Sequence, residues 1–314
     1  MTSIVPTFKL STGAVIPAIG VGCWMGVVGE SQRVVDMVKS ALRIGYRHID
    51  TASNYGNEES VGQAIRESMI PREEIFLTTK LTGEDHGHVE EALNCSMRKL
   101  GVQYVDLFLV HWPQALLDNG EALPPDQSPT IQETWRDMEK LFNSGKARAI
   151  GVSNFSIKTL TKLLEHASVV PMVNQVETHP CLPQVKLIEY CHANKILVTA
   201  YSPIGKHKYA TDPAIMEIAR SKRVTEAQIL LSWAVARGTA AIPKSEKIEH
   251  LERNITLVQL TPEDKHALNM LHEKPGMHRS VCGFHSPALG GSCFGWTYDL
   301  LGWDMIEGGI VPTK

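Results

Sequence analysis

No stretch of this 314-residue chain approaches the run of about 20 apolar residues that a membrane-spanning helix needs. Neither charge dominates: 31 Lys and Arg stand against 34 Asp and Glu, a formal net charge of −3. That balance argues against a protein that works on nucleic acid or on anionic membranes. The opening residues Met1-Thr-Ser-Ile-Val-Pro6 show neither a charged n-region nor an apolar h-region, so a cytoplasmic chain without an export signal is expected. The six cysteines (Cys23, Cys95, Cys181, Cys191, Cys282, Cys293) form no C-x-x-C pair and no zinc-like spacing, which favours reduced thiols over disulfides. His86 and His88 lie beside Glu84 and Asp85, but without a known ligand spacing they read as a solvated polar loop, and no metal is expected. There is no linker or shift in composition, so residues 1–314 read as a single domain.

What the chain does have is alternation. Short apolar runs end near Val21, Ile49, Thr79, Val110, Val152, Val176, Ala200 and Ile242, and segments of helical period separate them. Val34, Val35, Val38, Ala41 and Leu42 share one helical face, as do Ile131, Trp135, Met138, Leu141 and Phe142. Thr225-Glu-Ala-Gln228 reads as a capping box and Thr261-Pro262 as an N-cap followed by proline at the first helical position. Gly45 and Gly101 stand where helices should stop. Eight strand–helix units predict an α/β fold, a (β/α)₈ TIM barrel. Residues 8–17 look like a hairpin turning at Thr12-Gly13 that caps the closed end of the barrel. The Gly- and aromatic-rich tail from about Ser280 to Lys314 suits a long loop over the open mouth.

Four polar residues sit at or just beyond predicted strand ends: Asp50, Tyr55, Lys80 and His111. In a parallel barrel that rim is where chemistry is built. A phenol donates a proton reluctantly at neutral pH, and a nearby ammonium should lower its pKa. Lys80 can act so on Tyr55, Asp50 can supply the counter-charge a buried ammonium needs, and His111 can hydrogen-bond a substrate oxygen from the other side. Together they would protonate and polarise a carbonyl as hydride reaches its carbon. Taken singly, Asp50 could be a helix N-cap, Lys80 a solvated strand end and His111 a core histidine. Gly20-Val-Gly22-Cys-Trp-Met-Gly26 comes close to a dinucleotide-binding glycine fingerprint but carries one residue too many, and it reads as a barrel strand and its loop.

The segment from Gly45 to Gly62, which contains Asp50 and Tyr55, resembles the first signature of the aldo-keto reductases, and Met138 with Arg148-Ala-Ile-Gly-Val-Ser-Asn-Phe155 resembles the second. That resemblance implies a catalytic tetrad of Asp50, Tyr55, Lys80 and His111 with tyrosine as the acid. It also implies a nicotinamide cofactor. Ser153, Asn154 and Gln175 would hold the carboxamide, Tyr201 would stack on the ring, and Ser202-Pro203-Ile204-Gly205 would pass the pyrophosphate. The third signature, Ile242-Pro243-Lys244-Ser245 with Lys247, His250 and Asn254, implies a site for the 2′-phosphate of NADPH. Here the chain departs from the family, which usually has arginine at His250 and a small residue or glutamate at Arg253. NADPH is still the expected cofactor, with NADH as a weaker alternative. Met25 and Lys208 replace the lysine and aspartate that close a salt-bridged belt over the pyrophosphate in many relatives, so no belt is expected.

Trp24 and Trp112 match aromatic pocket walls of the family, while Asn54 and Thr82 predict a more polar mouth. Short hydroxyaldehydes, aldoses or polyol-related carbonyls are the expected substrates, with aromatic aldehydes as further ones, and the tail around Cys293-Phe294 and Trp296 is similar to fungal glycerol- and aldose-type reductases. The implied protein is a monomer or weak dimer that acts on small carbonyl compounds. Two rival readings of the sequence remain. One is an NADPH-binding regulatory or structural barrel subunit, which would have no need of four intact catalytic groups. The other is a phosphate-sugar isomerase barrel, which would have no need of Ser153-Asn154 and Lys244-Ser245.

Overall fold

The computed structural model describes residues 5–312. The hairpin comes first: strands β1 (Thr7–Lys9) and β2 (Val15–Pro17) pair antiparallel. Its turn is closed by bonds between Leu10 and Ala14 and between Gly13 and Leu10, with Gly13 at φ 91°, a conformation costly for any residue with a Cβ. His48 Nδ1 lies 3.1 Å from the Pro17 carbonyl, which fastens the hairpin to the start of a barrel strand.

Eight parallel strands follow in sequential order: β3 (Val21–Gly22), β4 (His48–Asp50), β5 (Phe76–Leu81), β6 (Leu107–Val110), β7 (Ile150–Ser153), β8 (Val173–Glu177), β9 (Leu197–Tyr201) and β10 (Thr239–Ala241). Every residue of β4 to β8 is buried, as expected of strands covered on both faces. The sheet curls until its ends meet. Ile19 bridges Ala241, Gly20 N–H donates to the Ala241 carbonyl at 2.9 Å, and Gly22 N–H donates to the Pro243 carbonyl at 3.0 Å. A Cβ on Gly22 would stand 2.9 Å from the Ile242 carbonyl oxygen, and one on Gly20 would stand 2.7 Å from the His48 ring. These glycines therefore serve barrel closure, not a phosphate turn.

The outer ring comprises α1 (Gln32–Ile44), α2 (Glu58–Ser68), α3 (Val89–Leu100), α4 (Ile131–Ser144), α5 (Ile157–Leu164), α6 (Val185–Ala193), α8 (Glu226–Ala236) and α9 (Ile248–Asn254), with α7 (Pro213–Lys222) and α10 (Pro262–Asn269) beside it. Val34, Val35, Val38, Ala41 and Leu42 are buried, as are Trp135, Met138 and Leu141 of the second predicted face. Thr225 and Thr261 each form a capping box, with Gln228 and Asp264. A regular eightfold repeat is not the whole pattern. Asp212 caps a second helix start before Pro213, and only a short turn separates α7 from α8, so two helices stand between β9 and β10. α8 packs on β10, while α7 packs on α8 and α10.

The loop around His86 is largely solvated as expected, with Glu84, Gly87 and His88 exposed, but His86 itself is not. His86 is 1% exposed, its carbonyl accepts from the Thr134 hydroxyl at 3.2 Å, and burial lowers its imidazole to about 4. Among the described residues no group of three or more His, Cys, Asp or Glu side chains is placed to hold a metal, and no helix is long and apolar enough to cross a membrane. All six cysteines are unpaired. The leader-free reading of Met1 to Ile4 lies outside the described residues, as do Thr313 and Lys314.

The tail crosses the mouth of the barrel. It forms a short hairpin, β11 (Ser292–Cys293) with β12 (Trp296–Thr297), and one helical turn, α11 (Tyr298–Leu301). Cys293, Trp296, Tyr298 and Leu301 make a small core of their own against Trp112, Phe284 and Trp303. Gln114 Nε2 donates to the Cys293 carbonyl at 2.9 Å and Trp296 Nε1 to the Leu123 carbonyl at 2.7 Å, which ties the tail to the loop after β6.

Candidate active site

Three neighbouring strand ends furnish the floor of the mouth. Asp50 is the last residue of β4, Lys80 the penultimate residue of β5, and His111 follows β6. Tyr55 closes a single 3₁₀ turn, Ser53–Tyr55, just beyond β4. That turn is held from below. The Ser53 hydroxyl donates to the Lys80 carbonyl at 2.9 Å, Thr51 Oγ1 to Asn57 Oδ1 at 2.7 Å, and Asn57 Nδ2 to the Cys23 carbonyl at 2.8 Å. Sequence reasoning missed Ser53 and Asn57 as positioning residues, because their bonds run to other strands.

The four groups converge. The Lys80 ammonium, fully buried, donates to Asp50 Oδ1 at 2.5 Å and to the Thr51 carbonyl at 2.9 Å, and it stands 3.4 Å from the Tyr55 hydroxyl. The Tyr55 and His111 rings meet edge to face, 5.7 Å between centroids. Desolvation would lower the Lys80 pKa, but the charges of Asp50 and Tyr55 outweigh it and the net direction is upward. The phenol departs from expectation. Desolvation raises Tyr55 above its ordinary value, and Asp50 offsets part of the opposing pull of Lys80. Lys80 therefore tempers the phenol without making it acidic, and Tyr55 stays protonated, as a proton donor must be. Burial, and then Lys80, hold His111 well below the ordinary histidine value, so it is a neutral imidazole. Its Nδ1 has no hydrogen-bond partner among the described residues.

Above this floor opens a cavity of about 810 Å³. Asp50, Tyr55 and His111 line it, as do Trp24, Asn54 and Trp112. Thr82 does not. It leads into the 3₁₀ turn Gly83–Asp85, where its hydroxyl donates to the Glu84 carboxylate, so it adds no polarity to the mouth. The tail adds Phe284 and Phe294 instead, which pack on Trp112 at 5.3 and 4.8 Å. The mouth is thus more aromatic and less polar than Asn54 and Thr82 implied. No local sequence signal marks Phe284 or Cys282 as lining residues, since only the path of the tail brings them there.

Along the opposite wall lie Asn154, Gln175, Tyr201, Ser202, Pro203, Ile204, Ile242, Pro243 and Lys244. Ser153 sits behind them, its hydroxyl donating to the Gln175 carbonyl at 2.8 Å. Asn154 Nδ2 donates to the His111 carbonyl at 2.9 Å, and the Tyr201 hydroxyl donates to Asn154 Oδ1 at 2.8 Å. Gln175 Nε2 donates to Asp50 Oδ2 at 2.6 Å, which joins this wall to the tetrad. Asn154, Ser202, Lys206 and His207 all take positive φ, between 48° and 65°, and all line the cavity. Such clustered left-handed backbone is a common mark of a functional site. Gly205 is buried beneath it, in contact with the Tyr209 ring.

Ile204, His207 and Lys244 also line a second cavity of about 470 Å³, which continues the groove outward. Thr225, Glu226, Ala227, Ser245, Glu246, Lys247, His250, Arg253 and Asn254 complete its wall. One end of the groove opens on the Tyr55 phenol, and the other carries Lys244, Lys247 and Arg253 beside Glu226 and Glu246.

The closed parallel barrel, with polar groups gathered at the C-terminal rim, defines a TIM-barrel enzyme with a proton-donor site. Residues 18–273 match the aldo/keto reductase family, and the chain belongs to it. The chain is similar to the glycerol 2-dehydrogenase (NADP(+)) of Saccharomyces cerevisiae, 41% identical over 298 residues that cover 89% of this chain and 95% of that protein. It is also 41% identical to the aldehyde reductase YPR1 of the same yeast, over 88% of this chain and 93% of that one. Among solved structures, a Bombyx mori aldo-keto reductase in complex with NADP superposes with a TM-score of 0.79 at 36% identity, covering 85% of this chain and 92% of that one. An aldo/keto reductase from Brucella melitensis superposes with a TM-score of 0.77 at 39% identity, over 85% and 99%.

Proposed function

We propose that this chain is an NADPH-dependent carbonyl reductase that uses Tyr55 as the general acid. The observation that carries the reading is the buried Asp50–Lys80 pair, with the Lys80 ammonium 3.4 Å from a phenol at the base of an 810 Å³ cavity. The groove fits the cofactor. Polar side chains of Ser153, Asn154 and Gln175 suit a carboxamide, Tyr201 offers a ring face, and the backbone from Ser202 to Gly205 runs beside the passage to the basic end. Lys244, Ser245, Lys247, His250 and Asn254 would meet the adenosine 2′-phosphate and the adenine end. When bound, the nicotinamide supplies hydride to the carbonyl carbon.

The chain's own residues do the rest. Tyr55 gives its proton to the carbonyl oxygen as negative charge develops there. Lys80 stabilises the phenolate left behind, and Asp50 keeps that ammonium charged and in place through the 2.5 Å bond. Neutral His111 donates a second hydrogen bond to the same oxygen. Trp24, Trp112, Phe284 and Phe294 exclude water and hold the body of the aldehyde, while Asn54 remains to bind a hydroxyl. Short hydroxyaldehydes, aldoses and aromatic aldehydes are the substrate classes proposed, and the aromatic wall raises the last above the place the sequence alone assigned it. The whole chain, residues 1–314, acts as one domain, as a monomer or weak dimer, with NADH as the weaker cofactor. Its six unpaired thiols suit a reducing compartment such as the cytoplasm.

The test is direct. Purified protein should oxidise NADPH when given glyceraldehyde or a benzaldehyde, and a single Tyr55→Phe exchange should stop it. NADPH binding without turnover on any aldehyde of a broad panel would favour a regulatory barrel instead.

A further inference from the structure

The basic end of the groove also holds an acid. Glu246 lines the outer cavity, between Lys244 and Lys247 in the chain. Its Oε1 takes the Lys244 ammonium at 2.5 Å. Arg33, reaching over from α1, grips the same carboxylate with two bonds, Nε to Oε2 at 2.7 Å and Nη2 to Oε1 at 2.8 Å. A guanidinium on two oxygens fixes direction as well as charge, so Glu246 is held facing Lys244. These hydrogen bonds, first that of Arg33 and then that of Lys244, hold its carboxyl down at about 2, and it is ionised at any working pH.

The cavity wall therefore carries three permanent cations, Lys244, Lys247 and Arg253, and two carboxylates, Glu226 and Glu246. A phosphate dianion that draws on Lys244 must share the ammonium with a carboxylate already bound to it. A hydroxyl in the same place meets no such competition and can donate to that carboxylate, as ribose 2′-hydroxyls do to acidic side chains elsewhere. We propose that Glu246 is a specificity-determining residue that opposes the 2′-phosphate by occupying Lys244, and so narrows the preference for NADPH over NADH. This rests on the assignment of the outer cavity to the 2′-phosphate. Arg33 is 65% exposed and Glu246 30%, so water and salt screen the effect, which belongs in the range of a few-fold rather than orders of magnitude.

The experiment is calorimetric titration of the purified full chain with adenosine 2′,5′-bisphosphate, together with NADPH and NADH titrations followed by protein fluorescence. Glu246→Gln frees Lys244 and should tighten adenosine 2′,5′-bisphosphate and NADPH by about three- to tenfold, with NADH unchanged or weaker. Glu226→Gln removes the same charge from the same wall without freeing Lys244, and its effect should be less than half as large. No gain in Glu246→Gln, or an equal gain in Glu226→Gln, overturns the proposal, since a general field would then suffice. Lys244→Met separates the two layers of the argument. A loss of at least tenfold for adenosine 2′,5′-bisphosphate supports the cavity assignment, and no loss overturns both that assignment and the role of Glu246.

Discussion

Replacing Glu177 with glutamine should loosen the tail, and the size of the effect follows from the surroundings of the carboxylate. Glu177 ends β8 and is 3% exposed. It takes His179 Nε2 at 3.0 Å, the Ser280 hydroxyl at 2.5 Å and the Val281 N–H at 2.7 Å, so one side chain fastens the start of the tail to the barrel rim. Burial alone would raise its carboxyl, but the bonds from His179, Ser280 and Val281 outweigh burial and hold it at about 2, below the usual 4.5. A folded value depressed by that much corresponds to stability on the order of 3 kcal/mol at neutral pH. Between pH 4.5 and 2 the unfolded chain takes up a proton that the folded chain refuses. The contribution is therefore complete above about pH 4.5 and is lost as pH falls through about 2. Glu177→Gln keeps the size but not the charge, and its amide would turn an N–H toward donors. Urea unfolding of both proteins should show a gap of about 3 kcal/mol at pH 7 that falls to roughly half by pH 3. Amide exchange at Val281 should quicken, and KM for aldehydes should rise more than kcat falls, because Cys282, Phe284 and Phe294 line the mouth. A gap that is absent, or constant with pH, would refute the reasoning.

Other substitutions probe the rim itself. Tyr55→Phe should cut turnover by about 10²–10⁴-fold with NADPH affinity nearly unchanged, and a variant keeping more than about a tenth of the activity would remove tyrosine from the role of acid. Lys80→Met should lower kcat comparably and cost about 3–5 kcal/mol in chemical unfolding, because Asp50 would be left buried without its counter-charge. A stable variant with the wild-type pH–rate profile would contradict that role. Phe294→Ala should raise KM for benzaldehyde several-fold more than for glyceraldehyde, and an unchanged ratio would mean the tail does not read the substrate.

Much of this was legible in the chain because the signals were local. Capping boxes at Thr225 and Thr261 involve residues three apart, and the buried faces of α1 and α4 repeat with the helical period, so both could be read without tertiary contacts. Asp50, Lys80 and His111 stand at the ends of apolar runs, and Tyr55 lies just beyond one, inside the segment that resembles the family's first signature. The misreadings have a common origin. The polar neighbours of His86 suggest a solvated loop and the place of Thr82 two residues after Lys80 suggests the mouth, yet His86 packs under α4 and Thr82 turns to Glu84. Burial depends on what a different part of the chain brings alongside, and no window of a few residues contains that information.

The sequence by itself therefore pointed to the barrel, its strand ends and four candidate groups at the rim, since apolar runs, the helical period and end signals are written into consecutive residues. Only the tertiary structure decided the rest. It set the direction of the Tyr55 phenol, where desolvation and Asp50 outweigh Lys80. It placed Phe284 and Phe294 over the mouth and put Arg33, more than 200 positions away, on Glu246 beside Lys244. Those outcomes are sums of opposing desolvation and Coulomb effects that vary with ångström-scale distances, and such distances exist only once the chain has closed on itself.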